Sequence, residues 1–85
     1  MKYRTRNEIV VDILSSAKDI DGVTKTRVMY HAFLSFTQLK DYLAILLENG
    51  MLEHIGTNKY RTTAKGVKML ETCQKINDLV GLKLG

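Results

Sequence analysis

The sequence predicts a mainly α-helical fold carrying one small β-hairpin, and three observations predict it. Two capping-box patterns, Thr5-Arg6-Asn7-Glu8 and Ser35-Phe36-Thr37-Gln38, stand directly before apolar residues at helical spacing. After Gly50 the period shortens: Met51-Leu52-Glu53-His54-Ile55 and Tyr60-Arg61-Thr62 read as strands around the turn Gly56-Thr57-Asn58-Lys59. No proline interrupts any of these segments.

In the first helix, Ile9, Val10, Ile13, Leu14 and Ala17 share one face, and the polar turn Asp19-Ile20-Asp21-Gly22 ends it. Thr24 caps a short second helix, Lys25 to Ala32, with Val28, Met29 and Ala32 inward. The third helix runs from Ser35 to Asn49. Its apolar arc is Phe36, Leu39, Tyr42, Leu43, Leu46 and Leu47, with Thr37, Lys40, Asp41 and Ala44 on the other side. Gly50 suits the left-handed position just past the helix end. Beyond the hairpin, Thr63 caps a last helix over 64–80, with Gly81 near its end. A lone two-stranded hairpin is barely stable in water, so this one must lean on the helices. The order helix-helix-helix-strand-strand-helix is the winged helix-turn-helix arrangement.

The 85 residues have room for one domain, 1–85, and their 45% apolar content argues for a folded core. A domain this small buries only about 60% of the surface of its unfolded chain, so a partner would add stability. The single cysteine, Cys73, excludes an intramolecular disulfide. The apolar runs are too short to cross a bilayer and nothing resembles a secretory signal, so the expected location is the cytoplasm. The formal charge of +4 is uneven: Lys2, Arg4 and Arg6 open the chain, Lys59, Arg61, Lys65 and Lys68 form a second basic stretch, and Asp12, Asp19 and Asp21 gather around the end of the first helix. Such a dipolar surface draws a polyanion to one face.

In a winged helix-turn-helix the second helix of the turn pair enters the major groove, led by its N-terminal residues. Here that helix begins at Ser35 and offers Thr37, Gln38, Lys40 and Asp41. Gln38 suits an adenine edge, unless the capping box claims it; Thr37 suits a thymine methyl or a phosphate, and Lys40 a guanine or a phosphate. Asp41 needs a cytosine amine to accept from, or Lys40 to hold in place. Lys25 and Thr26, at the start of the preceding helix, are placed for phosphate contact. The wing is Asn58 and Lys59 at the hairpin tip with Arg61 behind them. Lys2, Tyr3, Arg4 and Arg6 read either as a basic arm or as a frayed terminus. Tyr30 and Tyr60 read as packing groups.

Met69, Cys73, Ile76 and Val80 make one stripe on the last helix, widened by Val67, Leu70 and Leu79 beyond what so small a domain should consume. The expected use is a two-fold homodimer interface, kept short by Gly81; the alternative is that this helix closes the chain's own core. His31, His54 and Cys73 lie on different elements without metal-ligand spacing, and no phosphate-cradling glycine loop or nucleophile elbow is present. No enzyme activity, cofactor, metal or small-molecule ligand is expected.

The run from Thr24 to Ala32, the run Leu34-Ser35-Phe36-Thr37-Gln38-Leu39-Lys40-Asp41-Tyr42-Leu43, the block Leu46-Leu47-Glu48-Asn49-Gly50-Met51-Leu52 and the block Tyr60-Arg61-Thr62-Thr63-Ala64-Lys65-Gly66 resemble archaeal winged helix-turn-helix proteins, among them the small "ten-a" chromatin proteins. The resemblance spans Arg4 to Ile76. It implies a double-stranded DNA binder joined as a dimer through its last helix, with Thr37, Gln38 and Lys40 in the groove and Asn58 and Lys59 in the wing. Those chromatin proteins carry a longer C-terminal helix than the one expected here over 64–80, with Gly81 near its end. The function expected is transcriptional regulation or DNA architecture; the alternative is a winged-helix module that docks another polypeptide.

Overall fold

Side chains set where the helices begin. The caps Thr5, Thr24 and Ser35 each accept a backbone N–H from three residues on, those of Glu8, Arg27 and Gln38. At Thr5 and Ser35 the box closes, because the Glu8 and Gln38 side chains accept the cap's own N–H. A computed structural model of the chain describes residues 5–72. It shows α1 over Arg6–Ser16, β1 over Val23–Thr24, α2 over Lys25–Ala32, α3 over Phe36–Glu48, β2 over Leu52–Ile55 and β3 over Lys59–Thr62. A fourth helix, α4, occupies 64–72 to the limit of the described residues.

α2 and α3 are also fixed by buried apolar residues astride their caps: Val23 and Val28 around Thr24, Leu34 and Leu39 around Ser35. α3 ends as its glycine predicts. Gly50 has φ 74°, and the N–H groups of Gly50 and Met51 donate to the carbonyls of Leu47 and Leu46. α2 ends the same way, but Phe33 takes the left-handed position, at φ 55° and ψ 46°.

The hairpin is not two-stranded, as the sequence suggested, but part of a three-stranded antiparallel sheet in the order β1-β3-β2. β1 adds Val23↔Tyr60 and Thr24↔Lys59 to β3, while Glu53↔Arg61 and Ile55↔Lys59 set the hairpin register. The connection is thus three residues, Gly56 to Asn58, rather than four. The expected dependence on the helices is met at Thr62. Its N–H donates to the Ala17 carbonyl at 3.0 Å and its hydroxyl to the Leu14 carbonyl at 2.7 Å, locking β3 to the end of α1.

One core joins Ile13 and Leu14 of α1, Val28 and Ala32 of α2, Leu39, Leu43 and Leu46 of α3, Leu52 and Tyr60 of the sheet and Leu70 of α4. α4 reaches it by a close crossing: a Cβ at Gly66 would collide with the carbonyl oxygen of Met51 and the methyl of Thr62.

Four expectations are corrected. Phe36, placed inward by its azimuth, is 54% exposed, because it is the first residue of α3, about 10 Å along the axis from Leu43 and beyond the core. Tyr30 is exposed rather than packed; Tyr60 is buried as expected. Leu70, assigned to a surplus apolar surface, is 2% exposed within the chain's own core. Arg6 belongs to α1, not to a flexible arm. Lys2, Tyr3, Arg4, Cys73, Ile76, Leu79, Val80 and Gly81 lie outside the described residues.

Candidate nucleic-acid interface

Two contacts bring three separate chain segments to one surface. The Lys25 ammonium lies 5.1 Å from the centroid of the Phe36 ring, so the first residue of α2 touches the first residue of α3. Thr24, which caps α2, pairs in the sheet with Lys59, the first residue of β3 after the wing loop. The start of α2, the start of α3 and the base of the wing are therefore contiguous. Each helix start presents free backbone N–H groups and the positive end of its dipole.

On this surface Thr26, Ser35, Thr37, Gln38, Lys40, Asp41, Asn58 and Lys59 are exposed and Lys25 half-buried. Among the described residues, Lys40 and Lys59 form no ion pair. Ser35 and Gln38 are committed to each other: the Gln38 amide oxygen accepts from the Ser35 N–H at 3.1 Å and the Ser35 hydroxyl at 3.2 Å. A two-point adenine contact needs that oxygen as well as the amide nitrogen, so with the box closed Gln38 offers outward chiefly its NH2 donors. Asp41 lies to one side, sharing with Arg6, Gln38, Tyr42, Ala44 and Ile45 an open groove beside α3.

Arg61 differs from the other cations. Its guanidinium sits 3.3 Å from the Glu53 carboxylate across the hairpin and donates to the Ile20 carbonyl at 3.1 Å. It latches the wing to the α1–β1 loop. Lys65, from the same basic stretch, donates to the Asn49 carbonyl at 2.8 Å and neutralises the end of α3. Half of that stretch is thus structural.

The residues that sequence reasoning missed are Phe36 as a surface group and Thr24 as the joint between wing and helix. The Thr24 cap was legible; its strand partner was not, because a two-residue strand has no alternation to read. Of the proposed dimer stripe, Met69 is described and is 39% exposed. It lines an open apolar groove with Val10, Ile45 and Met51. The described residues hold no His/Cys/Asp/Glu group arranged to bind a metal ion and no helix long and apolar enough to cross a membrane.

The sequence profile of the winged helix-turn-helix family matches residues 3–81. The chain is similar to an uncharacterized protein of Methanocaldococcus jannaschii, 26% identical over 80 residues that cover 94% of this chain and 80% of the relative. Its structure is similar to the crystal structure of Sso10a-2, a DNA-binding protein from Sulfolobus solfataricus, with a TM-score of 0.80 and 25% identity over 95% of this chain and 86% of that one. These likenesses bear out the resemblance to archaeal winged helix-turn-helix proteins and the predicted fold class.

Proposed function

The chain belongs to the winged helix-turn-helix family, and from that premise we propose that it binds double-stranded DNA and catalyses no reaction. α3 enters the major groove and the β2–β3 loop lies on the backbone or in the minor groove. The observation that carries this reading is the junction of the α2 start, the α3 start and the wing base through Lys25–Phe36 and Thr24–Lys59. It gathers Lys25, Lys40 and Lys59, with Thr26, Thr37 and Asn58, on one surface where two helix dipoles add to the positive charge. Lys25, Thr26, Lys40 and Lys59 take phosphates, Thr37 faces base edges, and Ser35 and Gln38 hold the helix start in shape, with the Gln38 amide as a donor. Asp41, on the flank of α3 in the groove that Arg6 also lines, accepts from a cytosine amine or holds Lys40 in place. Arg61 positions the wing.

The DNA-binding unit is one domain over 1–85, working as a homodimer through the helix over 64–80. Met69 and its open apolar groove support the dimer, as does the sequence stripe that continues through Cys73, Ile76 and Val80. The role is transcriptional regulation or DNA architecture at the nucleoid.

The test is affinity for a mixed-sequence duplex across salt concentrations, with light scattering for the oligomer. Three lysines on each of two protomers give a log–log slope of roughly −5. A slope near zero would overturn the reading in favour of a protein-docking module, and a monomer at working concentrations would overturn the dimer.

A further inference from the structure

The surface carries an aromatic ring that packing does not explain. Phe36 leads α3, and the apolar stripe of that helix enters the core only from Leu39 onward. Leaving a phenyl ring half in water forgoes the gain from burying it, yet the ring is not loose, because the Lys25 ammonium is stacked over it at 5.1 Å. The other large apolar side chains that stand exposed, Ile20, Tyr30, Phe33, Ile45 and Met69, lie elsewhere on the chain. Phe36 alone among them occupies the first position of the helix that would lead into the groove.

A phenyl ring has no hydrogen-bonding group, and with the Lys25 ammonium already over it its remaining exposed surface suits an apolar partner. The floor of the major groove offers one apolar feature, the C5-methyl of thymine. Its neighbours Thr37 and Lys40 supply the polar contacts that a base edge or phosphate would need, while Lys25 supplies both the clamp on the ring and a charge for the adjoining backbone.

We propose that Phe36, held by Lys25, is a specificity-determining residue that selects thymine by its C5-methyl group at the leading end of α3. The inference rests on the DNA-binding reading, and the experiment separates the two. A 40-bp A·T-rich duplex is made in two forms, one with thymine throughout and one with deoxyuridine, which lacks only that methyl. Each is titrated with the full chain and with Phe36→Ala and Phe36→Leu. The wild type should favour the thymine duplex by about fifteen-fold, one buried methyl contact of about four-fold on each of two protomers. Phe36→Ala should bind both forms equally, and Phe36→Leu should keep part of the preference. Because the ring lies outside the core, both variants should melt within a few degrees of the wild type. Equal wild-type affinity for the two duplexes, or a preference that survives intact in Phe36→Ala, would overturn this inference and leave the general reading standing. Binding of neither duplex would overturn both.

Discussion

The two ends of α3 are built on opposite plans. At its C-terminal end several devices tie the helix to the body of the protein. Gly50 turns the chain, Thr63 donates to the Gly50 carbonyl at 2.6 Å, Lys65 donates to the Asn49 carbonyl, and α4 presses on Met51 at Gly66. At its N-terminal end the helix is closed mainly by its own residues, Ser35 and Gln38, and touched from outside by Lys25. The difference teaches how a small domain presents a rod: it anchors one end by tertiary contacts and finishes the other locally, so that the finished end is free to meet another molecule.

Loading the anchored end should cost the most. Gly66→Ala puts a methyl into the Met51 carbonyl, so the two elements must part, and the expected loss is about 1–3 kcal/mol by urea unfolding. A stability equal to wild type would mean that α4 does not press on Met51 as described. Gly50→Ala forces a left-handed alanine and should cost about 1–2 kcal/mol, whereas Ser35→Ala at the free end should cost about 1 kcal/mol. The sharper contrast lies in binding. Ser35→Ala should weaken duplex affinity more than its stability loss implies, and Gly50→Ala should leave affinity intact once the protein is folded. The reverse ranking would erase the distinction between the ends.

The smallest effect concerns two cations two residues apart. Lys59→Ala should flatten the salt slope by about 1.8, one phosphate contact on each of two protomers. Arg61→Ala should change that slope less, because its charge is already matched by Glu53. Equal changes would show that Arg61 leaves its intramolecular partners to meet the duplex.

Most of the fold could be read from local chemistry. The caps, the Gly50 stop and the change of period are each decided within four residues; the helices begin, and α3 ends, where those signals stand. What could not be read depended on register or on distance along an axis. A four-residue turn at Gly56 to Lys59 would set Glu53 opposite Thr62; the three-residue turn sets it opposite Arg61 and uses up that charge. The azimuth of Phe36 was read correctly, since it matches that of Leu43, but a helical wheel contains no information about where along the helix the core stops. Gly66 looked like an ordinary helix residue, because the carbonyl that excludes a side chain there comes from Met51, on the far side of the hairpin. Among the site residues, the exposed positions on α2, α3 and the wing were legible as a set; their contiguity was not, since it depends on Thr24 meeting Lys59.

That double use of Thr24 has a mechanical consequence. A residue that caps one helix while bonding to a neighbouring strand leaves no hinge between them, and the Arg61 latch on Ile20 stiffens the same corner. Jaw and blade are a single casting. When such a tool closes on a duplex whose groove has the wrong width, the compliance must come from the nucleic acid, so easily deformed base steps should be gripped more firmly than stiff tracts.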